Sequence, residues 1–182
     1  MSSPENRAYL SLGSNIDAEH NLPAAVRELA VFGRILAVSR VWESPPFGSD
    51  SRHAGNFLNA AVLLRTEFSA EIVCDVVVGK IEKRLGRVRD PDDKNAPRTI
   101  DVDLSFFNAE ILTIGHHRIP DPAILTRAFV AVPLAEVDPG YVHPVVQRQL
   151  KEIADELAAG QRLWPRGDVA LGVKSSVTES SQ

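Results

Sequence analysis

Between residues 8 and 107, segments with the periodicity of strands and helices follow one another in a fixed order. Apolar residues alternate with other residues in the strand-like segments and recur every three or four residues in the helix-like ones. The strand-like segments cover residues 8–14, 34–44, 56–66 and 98–107, and the helix-like segments cover residues 21–33 and 69–85. This βαββαβ order predicts an α+β protein with a ferredoxin-like core.

Additional elements are predicted after this core. Residues 108–114 resemble a short returning strand, and residues 125–137 and 147–157 have the pattern of helices. We expect three layers, α/β/α, in a single domain over residues 1–160. Residues 161–182 lose the periodicity and become polar and Ser-rich, so we expect a C-terminal tail that is partly disordered.

Composition narrows the possible environments and partners. The chain has 182 residues, a net charge of −4 and one cysteine, Cys74. The negative charge argues against broad electrostatic binding of nucleic acid, and a single cysteine excludes an internal disulfide and suits a reducing cytosol. The sequence has neither an apolar run of about 18 residues nor a secretory signal pattern. We therefore expect a cytoplasmic protein without a nucleic-acid or membrane partner.

Two carboxylates occupy one face of the last predicted core strand. Asp101 and Asp103 are two residues apart, and Ile100, Val102 and Leu104 alternate with them. Like charges on one sheet face repel each other unless a cation lies between them. Aspartate oxygens suit Mg²⁺, which completes its coordination with water and substrate phosphate. The pair predicts a magnesium site for phosphoryl transfer; a polar sheet face with surface ion pairs is the alternative.

A basic segment leads into this strand. From Lys80 to Arg98 the chain has seven lysines and arginines against four acidic residues. Guanidinium groups bind phosphate oxygens and neutralise developing charge, so Arg87, Arg89 and Arg98 are candidate phosphate ligands. The alternative is a solvated helix end and loop. The sequence has no Walker A motif, which excludes a P-loop enzyme.

A second pattern suits a flat heterocycle. Pro45 and Pro46 stiffen the segment ESPPFG, and Phe57 and Asn59 lie on one strand face in NFLNAA. An aromatic ring can stack on a heterocycle, while an amide offers a donor and an acceptor for its edge. A core phenylalanine and a turn-capping asparagine are the alternative interpretation of this pattern.

These motifs together resemble the 6-hydroxymethyl-7,8-dihydropterin pyrophosphokinase family of folate biosynthesis. The segments ESPPFG, NFLNAAV, IEKRLGRVR, APRTIDVDL, RAFVAVPLAE and a later HP occur in the family's order and approximate spacing. The resemblance covers nearly the whole chain from YLSLGSN to YVHPVV. It implies transfer of diphosphate from ATP to the hydroxymethyl group of the pterin, with AMP as the second product, by a monomeric enzyme.

The resemblance also implies roles for individual residues. Asp101 and Asp103 match the ligands of two Mg²⁺ ions, and Arg87 and Arg98 match arginines that act on the phosphates during transfer. Positions expected near the ATP are Glu82, Arg89, Arg127 and His116. Positions expected around the pterin are Ser44, Pro45, Pro46, Phe47, Phe57, Asn59 and Phe129.

Three departures from the family pattern affect the nucleotide end. Asn95 replaces a tryptophan that helps to close the site, and the loop from Arg89 to Ala96 is one residue longer than is common. Asp121 stands where many members have a histidine near ATP, and we expect His116, His117 and Arg118 just upstream to compensate in part; an exposed turn is the alternative for the histidines. The segment from Gly86 to Pro97 has one large apolar residue, so we expect a mobile catalytic loop.

Two other functions remain open at this stage. One is a diverged pyrophosphokinase that acts on a different pterin. The other is a non-catalytic, nucleotide-binding ferredoxin-like module that regulates a partner. Retention of both aspartates with Arg87 and Arg98 argues against the second, because nucleotide binding alone needs no two-metal site. Production of AMP distinguishes an enzyme from such a module.

Overall fold

The computed structural model of the chain describes residues 5–47, 55–89 and 96–172. The strands within these ranges are β1 (Asn6–Ser14), β2 (Arg34–Val38), β3 (Trp42–Ser44), β4 (Phe57–Thr66), β5 (Asp101–Phe107), β6 (Leu112–Ile114), β7 (His117–Ile119) and β8 (Trp164–Pro165). The α-helices are α1 (Ala18–Leu29), α2 (Ala70–Ile72), α3 (Gly79–Arg84), α4 (Ala128–Val137) and α5 (Leu150–Gly160). A π-helical segment, Val73–Val78, joins α2 to α3, and a 3₁₀ turn, Pro122–Leu125, precedes α4.

The main sheet is antiparallel and has the strand order β5-β1-β4-β3-β8. Strands β2 and β3 both pair with the same edge of β4. Strand β3 pairs with the first part of β4, and β2 pairs with the last part. If β2 and β3 are taken as one interrupted strand, the core order is fourth-first-third-second, as in the ferredoxin-like fold. The predicted fold class is therefore confirmed. Strands β6 and β7 form a separate hairpin.

Helices cover both faces of the sheet, which gives the three predicted layers. Alternation along β1 explains how one strand contributes to two cores. Ala8 and Leu10 pack with α1 and α3 in one buried cluster, whereas Tyr9 packs with α4 and α5 in the other. Together the two clusters leave β1, β4 and β5 largely buried between the helical layers.

Several predicted elements differ in their bounds. The segment 34–44 forms two strands because Ser39 turns inward, and its hydroxyl accepts a hydrogen bond from the Ala61 N–H at 2.8 Å. Ser69 caps the helix that follows it, as its pattern predicts, but this helix contains the π-helical segment. The helix predicted at 125–137 begins only at Ala128, because a 3₁₀ turn replaces its first part.

Residues 161–172 pack against the domain, although the sequence assigns them to a tail. Strand β8 joins the sheet beside β3, and Leu171 is buried in the cluster that contains α1. Residues 173–182 lie outside the described residues. Within the described ranges, every helix is too short or too polar to cross a bilayer.

Candidate active site

The two predicted metal ligands begin β5 and project from the same face. Asp101 lies opposite Gly13 of β1, and Asp103 lies opposite Ser11. Val102 between them points the other way and is buried, as the alternation of a strand requires. Because Ser11 and Gly13 are small, the surface beside the carboxylates stays open and forms part of a pocket.

Arginines surround Asp101. The Nη1 atom of Arg98 lies 2.8 Å from Asp101 Oδ2, and Nη2 of the largely buried Arg87 lies 4.0 Å from Oδ1. The backbone of Arg98 is held as well, since its N–H donates to Asn15 Oδ1 at 2.7 Å. Its carbonyl accepts from the N–H groups of Asn15 and Ile16. The turn after β1 therefore fixes the arginine that contacts Asp101.

Asp103 has a different environment. Its side chain is exposed to the solvent in the pocket, but the surrounding walls limit its hydration. Desolvation, followed by the negative charges of Asp101, Asp121 and Glu82, raises the pKa of Asp103 to about 7. The pocket floor is thus a concentration of carboxylates that favours a cation.

Glu82 lies behind the metal-binding candidates rather than beside them. It is buried on α3, where Oε1 accepts a hydrogen bond from the Val102 N–H at 3.2 Å and Oε2 accepts one from Arg89 at 2.7 Å. A buried carboxylate requires such partners. Glu82 therefore joins α3 to the backbone between the two aspartates.

The other end of the pocket is formed by β3 and β4. Asn59 is buried, and its Nδ2 donates to Ser44 Oγ at 2.9 Å and to the Trp42 carbonyl at 3.2 Å. Its Oδ1 lies 3.7 Å from the position of a Cβ atom at Gly13, so a side chain there would contact this oxygen. The Asn59 side chain is therefore held in one orientation, and its Nδ2 group donates to acceptors within the protein.

Aromatic rings line the same pocket as this amide. The rings of Phe47 and Phe129 meet edge to face with centroids 6.1 Å apart. The Arg127 guanidinium lies 4.7 Å from the Phe47 centroid and 5.9 Å from that of Phe129. The Arg98 guanidinium lies 5.6 Å from the Phe57 centroid. These apolar faces can sandwich a flat heterocycle.

One pocket brings together most of the predicted site residues. Its lining includes Ser44, Pro45, Pro46, Phe47, Phe57, Asn59, Arg98, Asp101, Asp103, Arg127 and Phe129. Four predicted residues, Arg87, Glu82, Arg89 and His116, do not line the pocket as the described residues form it. His116 is exposed in the turn between β6 and β7, with its ring centroid 3.9 Å from that of His117.

The lining also contains residues that the sequence did not assign to the site. These are Ser11, Leu12, Gly13, Asp121, Ala123 and Val130. Ser11 and Gly13 are two residues apart in LSLGS. This period-two spacing could have predicted that they share one face of the first strand. Asp121 has a local role as well, because its carboxylate accepts the Ala123 N–H at 2.9 Å and begins the 3₁₀ turn.

The predicted catalytic loop is described only in part. Residues 90–95, which include Asn95 and much of the segment from Gly86 to Pro97, lie outside the described residues. Among the residues that are described, no three histidine, cysteine, aspartate or glutamate side chains form a ready metal centre. Asp101 and Asp103 are therefore the candidate metal ligands within this described part of the chain.

Known proteins resemble this chain over most of its length. Residues 9–139 match the family model for 7,8-dihydro-6-hydroxymethylpterin-pyrophosphokinase (HPPK). The 2-amino-4-hydroxy-6-hydroxymethyldihydropteridine pyrophosphokinase of Aquifex aeolicus is 32% identical over 149 residues, which are 81% of this chain and 90% of that protein. The protein of the same name from Methylorubrum extorquens is 39% identical over 139 residues, which are 75% and 85% of the two chains.

A solved structure shares the fold. The crystal structure of wild-type Plasmodium falciparum HPPK-DHPS superposes with a TM-score of 0.65 at 14% identity. It covers 87% of this chain, and this chain spans 46% of that longer one. With the family match over residues 9–139, we conclude that the chain belongs to the 7,8-dihydro-6-hydroxymethylpterin-pyrophosphokinase family.

Proposed function

We propose that this chain transfers diphosphate from ATP to the hydroxymethyl group of 6-hydroxymethyl-7,8-dihydropterin, with AMP as the second product, in folate biosynthesis. The observation that carries the proposal is the single pocket with an acidic end at Asp101 and Asp103 and an aromatic end around Asn59. Family membership supports the same reaction.

The acidic end suits Mg²⁺. Asp101 and Asp103 supply oxygen ligands from one strand face, and desolvation, followed by repulsion from neighbouring carboxylates, raises the pKa of Asp103. Magnesium commonly takes one or two protein carboxylates and completes its coordination with water and phosphate, so two aspartates are sufficient. We assign both aspartates to two Mg²⁺ ions, which, when bound, would neutralise phosphate charge during transfer.

The arginines act on the phosphates. Arg98 lines the pocket next to Asp101, so its guanidinium can contact a phosphate that reaches the acidic end. Arg87 lies behind Asp101 and orients that carboxylate from 4.0 Å in this state. Arg89, Arg127 and His116 are assigned to the nucleotide side.

Glu82 takes part in the nucleotide side indirectly. It binds Arg89 and the backbone of β5, which limits the positions that Arg89 can adopt.

The pterin occupies the aromatic end. Its ring lies between Phe57 and Phe129, with Pro45, Pro46 and Phe47 as the outer wall. The Nδ2 of Asn59 is engaged by Ser44, so the Oδ1 of Asn59 is the atom that accepts from the pterin edge. This arrangement would read one edge of the heterocycle by shape and by hydrogen bonding.

Positioning accounts for most of the expected catalysis. The pterin hydroxyl oxygen attacks the β-phosphorus in line and releases its proton to water. The bond from that phosphorus to the oxygen bridging to the α-phosphorus breaks, and AMP leaves with that oxygen. Arg98 stabilises the negative charge on the transferred group from within the pocket, and Arg87 adds positive charge from its position behind Asp101. Holding hydroxyl and phosphorus in contact removes much of the entropic barrier.

The remaining parts of the proposal concern the whole protein. We propose that it acts as a monomer in the cytosol, with one catalytic domain whose predicted range, residues 1–160, is extended by the packed residues 161–172. The fold supports the single domain, because both buried clusters share the same central sheet.

One assay tests the reaction. The protein is incubated with ATP, Mg²⁺ and 6-hydroxymethyl-7,8-dihydropterin, and AMP is measured with and without EDTA. We expect AMP and pterin diphosphate in equal amounts, and loss of both with EDTA. Binding of ATP without AMP formation would instead indicate a regulatory module, and AMP formation only with another pterin would indicate a diverged substrate.

A further inference from the structure

The chain beyond α5 contacts both walls of the aromatic end of the pocket. We call residues 161–168 the strap; they follow the family match, which ends at residue 139. Two strap side chains, Gln161 and Arg166, make hydrogen bonds to segments that are distant in sequence. The inference drawn from these contacts depends on the proposed function, because it concerns the binding of the pterin.

Gln161 caps α4 from outside the helix. Its Oε1 accepts the N–H of Ala128 at 2.8 Å, and its Nε2 donates to the carbonyl of Thr126 at 2.9 Å. The N-cap residue of α4, Arg127, makes no side-chain hydrogen bond to the first turn. An N–H group at a helix start needs a partner from elsewhere, and the Gln161 amide provides one while it spans both neighbours of Arg127.

The capped turn carries aromatic contacts of the pocket. Arg127 lies between the two backbone groups that Gln161 holds, and its guanidinium packs on Phe47 and Phe129 at 4.7 and 5.9 Å. The rest of α4 is anchored independently, since Ala131 and Leu134 are fully buried. Loss of the cap should therefore loosen the first turn of α4, where Phe129 lies, and leave the helix folded.

Arg166 acts on the opposite wall. Its N–H donates to the Val41 carbonyl at 2.8 Å, next to β3. Its Nη1 lies 3.1 Å from Glu43 Oε2, and Glu43 Oε1 accepts from Asn56 Nδ2 at 2.8 Å. Glu43 and Asn56 immediately precede the pocket residues Ser44 and Phe57, so the strap also fixes the ends of β3 and β4.

We propose that Gln161 and Arg166 are positioning residues for the pterin, which hold the two walls of its subsite at a fixed separation. Both act through other residues, since neither lines the pocket in the described part of the chain. The acidic end of the pocket, at Asp101 and Asp103, has no contact with the strap among the hydrogen bonds of the described residues. The strap should therefore affect binding of the pterin more than binding of ATP.

Substitutions at Gln161 test this inference. Gln161→Met keeps the volume and removes both hydrogen bonds, and Gln161→Glu keeps the acceptor for Ala128. Loss of an N-cap predicts a rise of about threefold to thirtyfold in the pterin KM for Gln161→Met, with the ATP KM unchanged within twofold. Gln161→Glu should restore part of the pterin affinity, because its carboxylate accepts the Ala128 N–H but cannot donate to the Thr126 carbonyl. The matched control is Arg162→Ala, which changes the exposed neighbouring residue and should behave as the unaltered protein.

A binding measurement keeps this test separate from the reaction. Calorimetric titration with 6-hydroxymethylpterin should show the same order of affinities without turnover, and thermal unfolding identifies any variant that is not folded. If Gln161→Met does not fold, Arg166→Gln is measured in the same way. It should weaken binding of the pterin and leave binding of ATP unchanged. Unchanged pterin affinity in the folded variants, or equal loss of pterin and ATP affinity, would overturn the inference even if the unaltered protein produces AMP.

Discussion

The same substitution at the two aspartates should change the stability of the metal-free protein in opposite directions. Asp103 is desolvated and is repelled by the negative charges of Asp101, Asp121 and Glu82, whereas Asp101 accepts a hydrogen bond from Arg98 at 2.8 Å. Asp103→Asn removes a repelled charge, and we expect it to stabilise the fold. Asp101→Asn weakens an ion pair, and we expect it to destabilise the fold.

The magnitude for Asp103 follows from its pKa, which rises from 3.8 to about 7 on folding. One pKa unit corresponds to about 1.4 kcal/mol. Without solvent screening, the charged form of Asp103 would therefore lower the free energy of unfolding by about 4 kcal/mol. Because the side chain is exposed within the pocket, solvent screening reduces the expected gain to about 1 kcal/mol. The folded state binds the proton more tightly than the unfolded state, so the penalty is absent below about pH 4 and complete above about pH 7.

In the matched variant Asp101→Asn, the free energy of unfolding should fall by about 1–3 kcal/mol, the usual cost of removing a hydrogen bond between charged groups. Urea unfolding in EDTA at about pH 8 and about pH 4 measures both effects. Asp103→Asn should be the more stable protein at the higher pH and indistinguishable from the unaltered protein at the lower one. Equal destabilisation by both substitutions at the higher pH would contradict the electrostatic description of the site.

Activity should fall in both variants despite the opposite changes in stability. With saturating ATP, Mg²⁺ and pterin, we expect at least about a 100-fold lower kcat for each, because metal-assisted charge stabilisation contributes several kcal/mol. Near-normal turnover in both variants would refute the assignment of these aspartates to the metal.

Three further outcomes are expected at other positions. Asn59→Ala should weaken pterin binding by about 1–3 kcal/mol in calorimetry, the cost of an unpaired polar edge, with ATP binding unchanged; Ser44→Ala should have a smaller effect because Oδ1 remains. Arg98→Lys should lower kcat more than it raises the ATP KM in steady-state assays, because lysine lacks the planar fork that contacts Asp101. Burial lowers the pKa of His143, so its stabilising contribution is present above about pH 6.5 and is lost as the pH falls towards the lowered value; His143→Gln should flatten this acid limb in urea unfolding.

Periodicity was sufficient to predict those parts of the site that lie within one strand. The shared face of Asp101 and Asp103, and that of Phe57 and Asn59, follow from alternation alone, and the order of elements was sufficient for the confirmed fold class. The roles of these residues remain predictions. Both pairs nevertheless lie in the same pocket of the structure. No local sequence pattern could predict that the two pairs would meet.

Contacts between distant segments could not be predicted in this way. The hydrogen bond from the Val102 N–H to Glu82 joins residues 20 positions apart, and the bond from the Ala128 N–H to Gln161 joins residues 33 apart. Neither partner has a periodic signal, because each is a single polar side chain that satisfies one backbone group. The strap was assigned to a tail for the same reason, since β8 has only two residues, Trp164 and Pro165.

The register of the sheet explains how one pocket can accommodate both substrates. Gly13 of β1 pairs with Asn59 of β4 on one side and with Asp101 of β5 on the other. Paired Cα atoms in antiparallel strands are about 4.5–5.5 Å apart, so about 10 Å of sheet separates the amide from the carboxylate. Glycine places no side chain on this path. With the roles proposed for these residues, a heterocycle at Asn59 and a phosphate at Asp101 would meet above Gly13, where the hydroxyl would reach the β-phosphorus.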